Sequence, residues 1–399
     1  MKTILILIGL LAYCSITYGQ INKTTAETLT QELNQIYSQG HITGFSVSIV
    51  NQDSILYTNG FGFSNAKVQK PYTQNTIQNI ASISKTFIGI ALLKAQELGK
   101  LNLEDPINKY LPYVIENPHF PDQTITIRHL ATHTSSIEDP SRYEKNGYVL
   151  KEKNNGGAKV NRNFRSPDEI MEHGAFLETL LSKDGDWYKK STFLKTRPGA
   201  MFKYSNIASG LAAFIIQNAT GYTFPEFTKK YIFKPLEMSH SGWSFTEVDF
   251  SQHSKLYLNK ETELAFYRLI NYPDGGLITS SSDLGKYLTE LIAGYSGNGK
   301  LLSRQGYREL FKAQLTAANY SQRNESVYND EYNMGIFMGM SSKGQIGHTG
   351  GDPGVATHMF FNTETNIGKL LIVNTELNNE GINEFIDIWL KLEEYETKL

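Results

Sequence analysis

The stretch "ASISKTFIGIALLKAQELGK", residues 81–100, places a serine and a lysine at the start of a long apolar run. The residues from Phe87 to Leu93 are apolar on most sides of a helix, which predicts a buried helix. Ser82 and Lys85 are three residues apart and therefore share one helix face. A serine hydroxyl is a weak nucleophile unless a base lies within hydrogen-bond reach. We therefore expect Lys85 to take the proton of Ser82, provided that its surroundings do not keep the amine permanently charged.

A second pair, Ser64 and Lys67, has the same spacing. It lies in a stretch rich in glycine, asparagine and lysine with no helical period, which predicts a turn after a strand. Ser82 instead begins a helix, where the helix dipole and free backbone N–H groups stabilise negative charge. This context indicates Ser82, not Ser64, as the nucleophile.

Two further short elements follow downstream, Tyr204-Ser205-Asn206 and His348-Thr349-Gly350. An S-x-x-K element with a later K-T-G element is characteristic of penicillin-binding proteins and one class of β-lactamase. The Y-x-N spacing also occurs at Tyr57 and Tyr257, so the flanking sequence has to select among the three.

Longer segments around these elements resemble the class C β-lactamase and related serine hydrolase family, in the family's order and over most of residues 24–375. The matching segments are "NIASISKTFIGIALLKAQELGKLNLEDPINKYLP" from Asn79, "ITIRHLATHTSS" from Ile125, "RPGAMFKYSN" from Arg197, "YIFKPLEMSHSGW" from Tyr231, "DGGLITSSSDLGKYL" from Asp274 and "IGHTGGDPG" from Ile346.

The resemblance implies a role for each matching residue. Ser82 would be the nucleophile, Lys85 the general base and Tyr204 a proton-relaying phenol. The backbone N–H groups of Ser82 and Gly351 would form the oxyanion hole. The implied substrate-binding residues are Asn206, His348, Thr349, Gly350 and Gly351. No cofactor is expected.

His348 departs from the lysine that β-lactamases and many penicillin-binding proteins carry at this position. With an ordinary pKa of about 6.5, it is mostly neutral at pH 7 and offers no permanent charge to a substrate carboxylate. This favours the esterase, amidase and peptidase relatives. We expect protonation below about pH 6 to restore the charge, unless Asp352 already holds the imidazolium.

Composition and the N-terminus predict a single exported domain. Residues 1–19 have the pattern of a signal peptide: Lys2, an apolar stretch from Ile4 to Ala12, and small residues before Gln20. The apolar stretch is too short to span a bilayer, so we expect a secreted or periplasmic protein. With 38 Lys+Arg against 40 Asp+Glu, the charge gives no reason to expect nucleic acid or an anionic membrane as a partner.

Two further local features of the sequence bear on metal binding and on chain order. His129 and His133 have the spacing of two metal ligands, but Leu130 replaces the glutamate of H-E-x-x-H, so we expect no metal and a structural role in a turn. The segment 138–196 is long and polar, with Lys153 to Gly157 at its centre, and is expected to be a structureless lid, binding loop or disordered region.

The predicted fold is α/β (α+β), an antiparallel sheet flanked by helices with an inserted, mostly helical subdomain. Alternation at residues 45–49 and 55–57 predicts a hairpin, and 358–361 with 370–373 predicts a second. Residues of about 20–95 and 330–399 would form the sheet half of one domain spanning 20–399, and about 96–329 the helical half.

The predicted function is that of an exported serine hydrolase acting on small or peptide substrates through an acyl-enzyme on ester, amide or peptide bonds. The alternatives are a β-lactamase or peptidoglycan DD-peptidase, and a catalytically inactive binding protein of the same fold. The retained Ser82, Lys85 and Tyr204 argue against the inactive protein.

Overall fold

A computed structural model describes residues 23–320, 333–341 and 343–399. The predicted signal peptide, residues 1–19, lies outside these ranges and stays a prediction. Within them, no helix combines the length and the apolarity that crossing a bilayer requires.

Short and long strands alternate with helices along the chain. The strands are β1 (Gly44–Val50), β2 (Ile55–Asn65), β3 (Lys70–Pro71), β4 (Ile77–Asn79), β5 (Tyr148–Leu150), β6 (Phe164–Arg165), β7 (Leu256–Asn259), β8 (Thr262–Leu264), β9 (Tyr267–Leu269), β10 (Ile278–Ser280), β11 (Asn333–Met334), β12 (Gly339–Met340), β13 (Gln345–Asp352), β14 (Val355–Asn362) and β15 (Gly368–Val373). The helices are α1 (23–37), α2 (Ser84–Glu97), α3 (Ile127–Ala131), α4 (Ser141–Asn146), α5 (His173–Leu181), α6 (Asn206–Thr220), α7 (Phe224–Thr228), α8 (Ser281–Tyr295), α9 (Arg304–Leu310) and α10 (Asn379–Tyr395).

One eight-stranded antiparallel sheet is built from both ends of the chain, in the order β11-β12-β13-β14-β15-β1-β2-β3. Both predicted hairpins are present as β1–β2 and β14–β15. Helices flank the sheet, which confirms the predicted fold class. In the described part of the chain, three small sheets, β4–β10, β6–β5–β9 and β7–β8, lie outside it.

The central strand β1 shows why the sheet is covered on both faces. Phe45, Val47 and Ile49 alternate onto the face that packs against α1 and α10. The serines between them are also buried, because α8 covers the opposite face. Ser48 is satisfied there by hydrogen bonds to Thr58 Oγ1 and the Ser281 carbonyl.

The helix α2 is buried along almost its whole length, as its apolar sequence predicted. It packs against α6, α9 and the turn at residues 272–274, within the largest apolar core. This burial holds the start of α2 rigidly between the sheet and the helices.

The segment 138–196 is not structureless, so that expectation is wrong. It contains α4, β5, β6 and α5, and β5 pairs with β9. The polar composition does not predict these elements, because β5 is held by β9, which lies about a hundred residues away in sequence. Two tyrosines anchor it: Tyr143 donates to Asp274 and Tyr148 donates to Asp352.

Candidate active site

Ser82 lies in a single 3-10 turn, Ala81–Ile83, that runs directly into α2. Ala81 has a φ of 48°, in the left-handed region that non-glycine residues rarely adopt. Backbone strain of this kind persists only where the surroundings enforce it, and it is common at active sites. The half-buried Ser82 is thus presented by a sharply bent, rigid segment.

Lys85 lies one turn further on and is completely buried. Its Nζ is 3.0 Å from Ser82 Oγ and donates to the Asp274 carbonyl oxygen at 2.6 Å. Burial alone would lower the pKa of Lys85, but the nearby Tyr204 oxygen and the Asp274 carboxylate outweigh it, so the pKa is raised. Lys85 is therefore an ammonium donor towards Ser82, not an available base, in this state of the site.

Tyr204 lies beside the lysine, with Lys85 Nζ 5.2 Å from the centre of its ring. Two imidazoles flank the phenol, with ring centres 4.5 Å away for His133 and 6.0 Å away for His348. Burial, the charge of Lys85 and the neighbouring His348 hold the pKa of His133 well below its usual range. Of these three neighbours, Lys85, His133 and His348, only Lys85 carries a positive charge next to Tyr204.

His348 is buried on β13, where its Nδ1 is hydrogen-bonded to the Thr349 carbonyl. A carbonyl accepts only, so Nδ1 carries the proton and Nε2 has its lone pair free. Burial and the charge of Lys85 lower the pKa of His348 to about 4. Protonation near pH 6 is therefore not expected, which corrects the expectation above. Asp352 does not hold the imidazole either, since it accepts from Tyr148.

Asn206 begins α6 and is fixed by a carboxylate that the motifs did not reveal. Asp139 accepts from the backbone N and Nδ2 of Asn206, both at 2.9 Å, and from the backbone N of Ile207 at 3.0 Å. It also accepts from Ser205 Oγ, which caps the helix. Asp139 thus sets both the start of α6 and the orientation of the Asn206 amide.

A second network missed by sequence reasoning lies behind Lys85. Asn271 Nδ2 donates to the Asn206 carbonyl at 3.0 Å and to Asp274 Oδ2, and its Oδ1 accepts from His173 Nε2 at 2.7 Å. Burial raises the pKa of Asp274 to about 6, although Lys85 and its hydrogen bonds oppose the rise. Asn271 precedes the recognisable D-G-G word and matches no motif, so no sequence signal identified it.

Gly350 allows β13 to approach the turn that carries Ser82. A Cβ at Gly350 would lie 2.6 Å from the Ile80 carbonyl and 3.1 Å from Ala81 Cβ, so only glycine permits this approach. A Cβ at Gly351 would meet nothing within 4 Å. Among the described residues, β12 pairs with β13 only at Ile346 and Gly347, which leaves the outer edge from His348 onward unpaired. That edge can receive an extended substrate.

The other residues that match these sequence patterns lie outside the candidate site. Ser64 is buried at the end of β2 rather than in a turn, and its hydroxyl bonds the carbonyls of Lys70 and Pro71. His129 Nδ1 accepts from the Thr126 backbone N in a capping box of α3. Across the described ranges, no group of three or more His, Cys, Asp or Glu side chains is arranged to hold a metal ion.

The chain was compared with known families and proteins. The Beta-lactamase family matches residues 25–390. Protein flp of Staphylococcus aureus (strain MW2) is 24% identical over 361 residues, which cover 88% of this chain and 62% of that protein. The chain therefore spans less than two thirds of the length of this relative.

Two solved structures show the same fold. The octameric penicillin-binding protein homologue from Pyrococcus abyssi matches with a TM-score of 0.67 and 22% identity, covering 92% of this chain and 77% of that one. D-amino acid amidase from Ochrobactrum anthropi SV3, complexed with L-phenylalanine, matches with a TM-score of 0.68 and 17% identity, covering 94% and 99%.

Proposed function

Because the chain belongs to the β-lactamase family, we propose that it is an exported serine hydrolase that cleaves ester, amide or peptide bonds through a covalent acyl-enzyme. The observation that carries this proposal is the 3.0 Å contact between Lys85 Nζ and Ser82 Oγ, with the ring of Tyr204 centred 5.2 Å from the same Nζ. Export is supported by the sequence pattern of residues 1–19 alone.

The charge on Lys85 decides which group acts as the base. A buried ammonium next to a phenol favours the phenolate, because opposite charges stabilise each other at low dielectric. Tyr204 would then take the proton of Ser82, while Lys85 holds the Oγ in place and stabilises the resulting phenol–alkoxide pair. The proposed base is therefore Tyr204 acting with Lys85, instead of a neutral Lys85.

The acyl transfer then follows in two balanced steps. Ser82 Oγ attacks the substrate carbonyl carbon, and the oxyanion is held by the backbone N–H groups of Ser82 and Gly351. Tyr204 returns its proton to the departing alcohol or amine, which leaves Ser82 acylated. A water molecule then loses its proton to Tyr204 and attacks the ester, and the proton returns to Ser82 Oγ as the acid departs.

His348 supports an esterase, amidase or peptidase over a β-lactamase. Its pKa of about 4 leaves the imidazole neutral at physiological pH. It can therefore hydrogen-bond a substrate but provides no charge for the carboxylate of a penicillin. D-amino acid amidase, a solved neighbour, is by its name an amidase, which is compatible with this choice.

The proposal is tested by labelling the protein with a fluorophosphonate and with a fluorescent penicillin, followed by peptide mapping. The adducts should lie on Ser82, and Ser82→Ala should abolish both labelling and hydrolysis of p-nitrophenyl acetate. Ser64→Ala is the matched control, because it has the same S-x-x-K spacing but lies in β2, and it should still label.

Three outcomes separate the alternatives. Rapid turnover of the penicillin, without a persistent adduct, would favour a β-lactamase. A persistent penicillin adduct together with cleavage of D-alanyl-D-alanine peptides would favour a DD-peptidase. No reaction with any serine-directed reagent, in protein shown to be folded, would favour the inactive binding protein and refute the proposal.

A further inference from the structure

One face of β13 displays three residues towards the nucleophile segment. Alternate residues of a strand share a face, so His348, Gly350 and Asp352 point to the same side. His348 meets Tyr204 there, and a Cβ on Gly350 would meet Ile80 and Ala81. Asp352 is the next residue on that face, one position beyond the proposed oxyanion donor Gly351.

The carboxylate of Asp352 is poorly satisfied by the protein. Among the described residues, its one hydrogen bond comes from the Tyr148 hydroxyl at 2.6 Å. Its other oxygen, Oδ2, lies close to Gly275, since a Cβ on Gly275 would be 3.1 Å from Oδ2. A half-buried carboxylate with one hydrogen bond is costly unless a cation or further donors complete it.

Charges around Asp352 do not complete it. Burial raises its pKa to about 7; the Tyr148 bond and Lys85 act to lower it, and Asp274 acts to raise it. Lys85 is the nearby cation, but its ammonium is bonded to Ser82 Oγ and to the Asp274 carbonyl. Within the described ranges, the site therefore contains a carboxylate that has no cation of its own.

His348 contributes a second acceptor on the same face. Its Nε2 is buried and has no hydrogen-bond partner within the described ranges. Because Nδ1 bonds a carbonyl, this Nε2 is a lone-pair acceptor. A substrate that carries donors near its reacting carbonyl would satisfy both acceptors, whereas a carboxylate would be repelled by Asp352.

We propose that Asp352 is a specificity-determining residue that binds the α-ammonium group of aminoacyl esters and amides. The inference rests on the acyl-enzyme function proposed above. With the substrate carbonyl oxygen on the Gly351 N–H, the α-carbon is one bond from the reacting carbon and the ammonium one bond further. Successive strand residues advance by about 3.4 Å, so Asp352 is within reach of that ammonium.

The test compares substrates with a free α-amine against their N-acetyl counterparts, in which the nitrogen carries no charge. We would measure kcat/KM from about pH 7 to pH 8 for D- and L-alanine p-nitroanilide and for the two N-acetyl compounds, because Asp352, with a pKa of about 7, is then at least half ionised and an α-amine is largely protonated at the lower end of this range. The wild type should prefer the free amine in at least one stereochemical series. Asp352→Asn should reduce that preference about tenfold or more, the size expected for a lost charge-assisted hydrogen bond.

Two variants separate recognition from folding. Tyr148→Phe removes the same hydrogen bond but keeps the carboxylate, so the preference for the amine should persist. Asp352→Glu should restore part of the preference lost in Asp352→Asn. A purely structural role would lower both substrates equally and leave their ratio unchanged, and that result would overturn the proposal.

Failure of this inference is distinguishable from failure of the proposed function. A wild type that hydrolyses p-nitrophenyl acetate and labels at Ser82, but prefers N-acetylated substrates in both series, refutes the role of Asp352 only. A wild type that neither labels nor hydrolyses the acetate refutes the hydrolase itself.

Discussion

At the scale of single residues, the charge on Lys85 is the property that decides the chemistry. The lysine is completely buried yet stays an ammonium, because Tyr204 and Asp274 compensate for the cost of burial. The carbonyl of Asp274 also fixes its position at 2.6 Å. In the proposed mechanism Lys85 and Tyr204 share one proton, and neither is a complete base alone.

This sharing makes a prediction for kinetics. Lys85→Ala and Tyr204→Phe should each lower kcat by about a hundredfold to ten-thousandfold, the usual loss for a general base. The double variant should lose scarcely more than the worse single variant, because groups that act as a unit are not additive. Single-turnover acylation by p-nitrophenyl acetate measures this directly. Losses that multiply would mean that the two residues act independently.

Reasoning from the sequence proposed residues for the chemistry but not the residues that position them. The short motifs that contain Ser82, Lys85, Tyr204 and Asn206 have a spacing with a mechanistic reason. Asp139 belongs to no such motif, because a carboxylate that caps a helix can come from any loop that passes the N-terminus of the helix. Such a residue is found only when the folded chain brings it there.

At the scale of elements, β13 can approach the turn that carries Ser82 only because Gly350 has no side chain. Gly350→Ala would place a Cβ 2.4 Å from Thr357 Oγ1 and 2.6 Å from the Ile80 carbonyl. The strand must then move away from the turn, which widens the proposed oxyanion hole. We expect a loss of about a hundredfold in kcat and a destabilisation of about 1–3 kcal/mol.

Gly351→Ala is the matched control for stability. Its Cβ would meet no atom within 4 Å, so the free energy of unfolding should stay within about 0.5 kcal/mol of the wild type. Urea unfolding of both variants and p-nitrophenyl acetate kinetics of Gly350→Ala provide the measurements. Equal stability of the two variants would show that β13 does not press against the nucleophile turn.

Elements with a strong local pattern were predicted from the sequence, and elements defined by distant partners were not. The strands β1 and β14 alternate over several residues, β15 ends in the apolar run 370–373, and α2 has a long apolar run. In contrast, β5 has three residues and is held by β9 and by the Tyr148 bond to Asp352. A strand of that length has too few residues to show a period. The spacing of Phe385, Ile386, Trp389 and Leu390 also predicts a helix near the C-terminal end of the sequence, and α10 is present there; however, Ile386 and Leu390 are exposed, while Phe385 and Ile388 pack against the sheet.

At the scale of the whole molecule, buried histidines couple folding to pH. Within the described ranges, burial is the largest cause that lowers the pKa of six histidines. The pKa is lowered to about 4 for His173, His253, His348 and His358, and it is also lowered for His129 and His133. Each takes up a proton on unfolding below about pH 6.5, so its contribution to stability is lost as the pH falls towards the folded value.

Two active-site carboxyl groups oppose this trend. Burial raises the pKa of Asp274 to about 6 and of Asp352 to about 7, so both bind a proton in the folded state before they would in the unfolded chain. Their contribution therefore increases as the pH falls below these values. Burial also raises the pKa of Glu384, so six histidines oppose three carboxyl groups, and we expect the net effect of mild acid to be destabilising.

The resulting prediction is that the urea midpoint falls between about pH 6.5 and pH 5, before ordinary carboxylates titrate. His358 provides the variant: it pairs with Thr349 across β13 and β14, but its ring packs against α10, 4.8 Å from Phe385 and 5.2 Å from Trp389. Its Nδ1 has no hydrogen-bond partner in the described part of the chain, so His358→Gln removes a titrating group without breaking a bond at that atom. This variant should show a shallower fall of stability with acid than the wild type, while keeping its hydrolysis of p-nitrophenyl acetate at about pH 7.5. A urea midpoint that is flat or rises from pH 6.5 to 5 in the wild type would contradict the assignment, because it would mean that the histidines are charged in the folded protein or that the three carboxyl groups dominate.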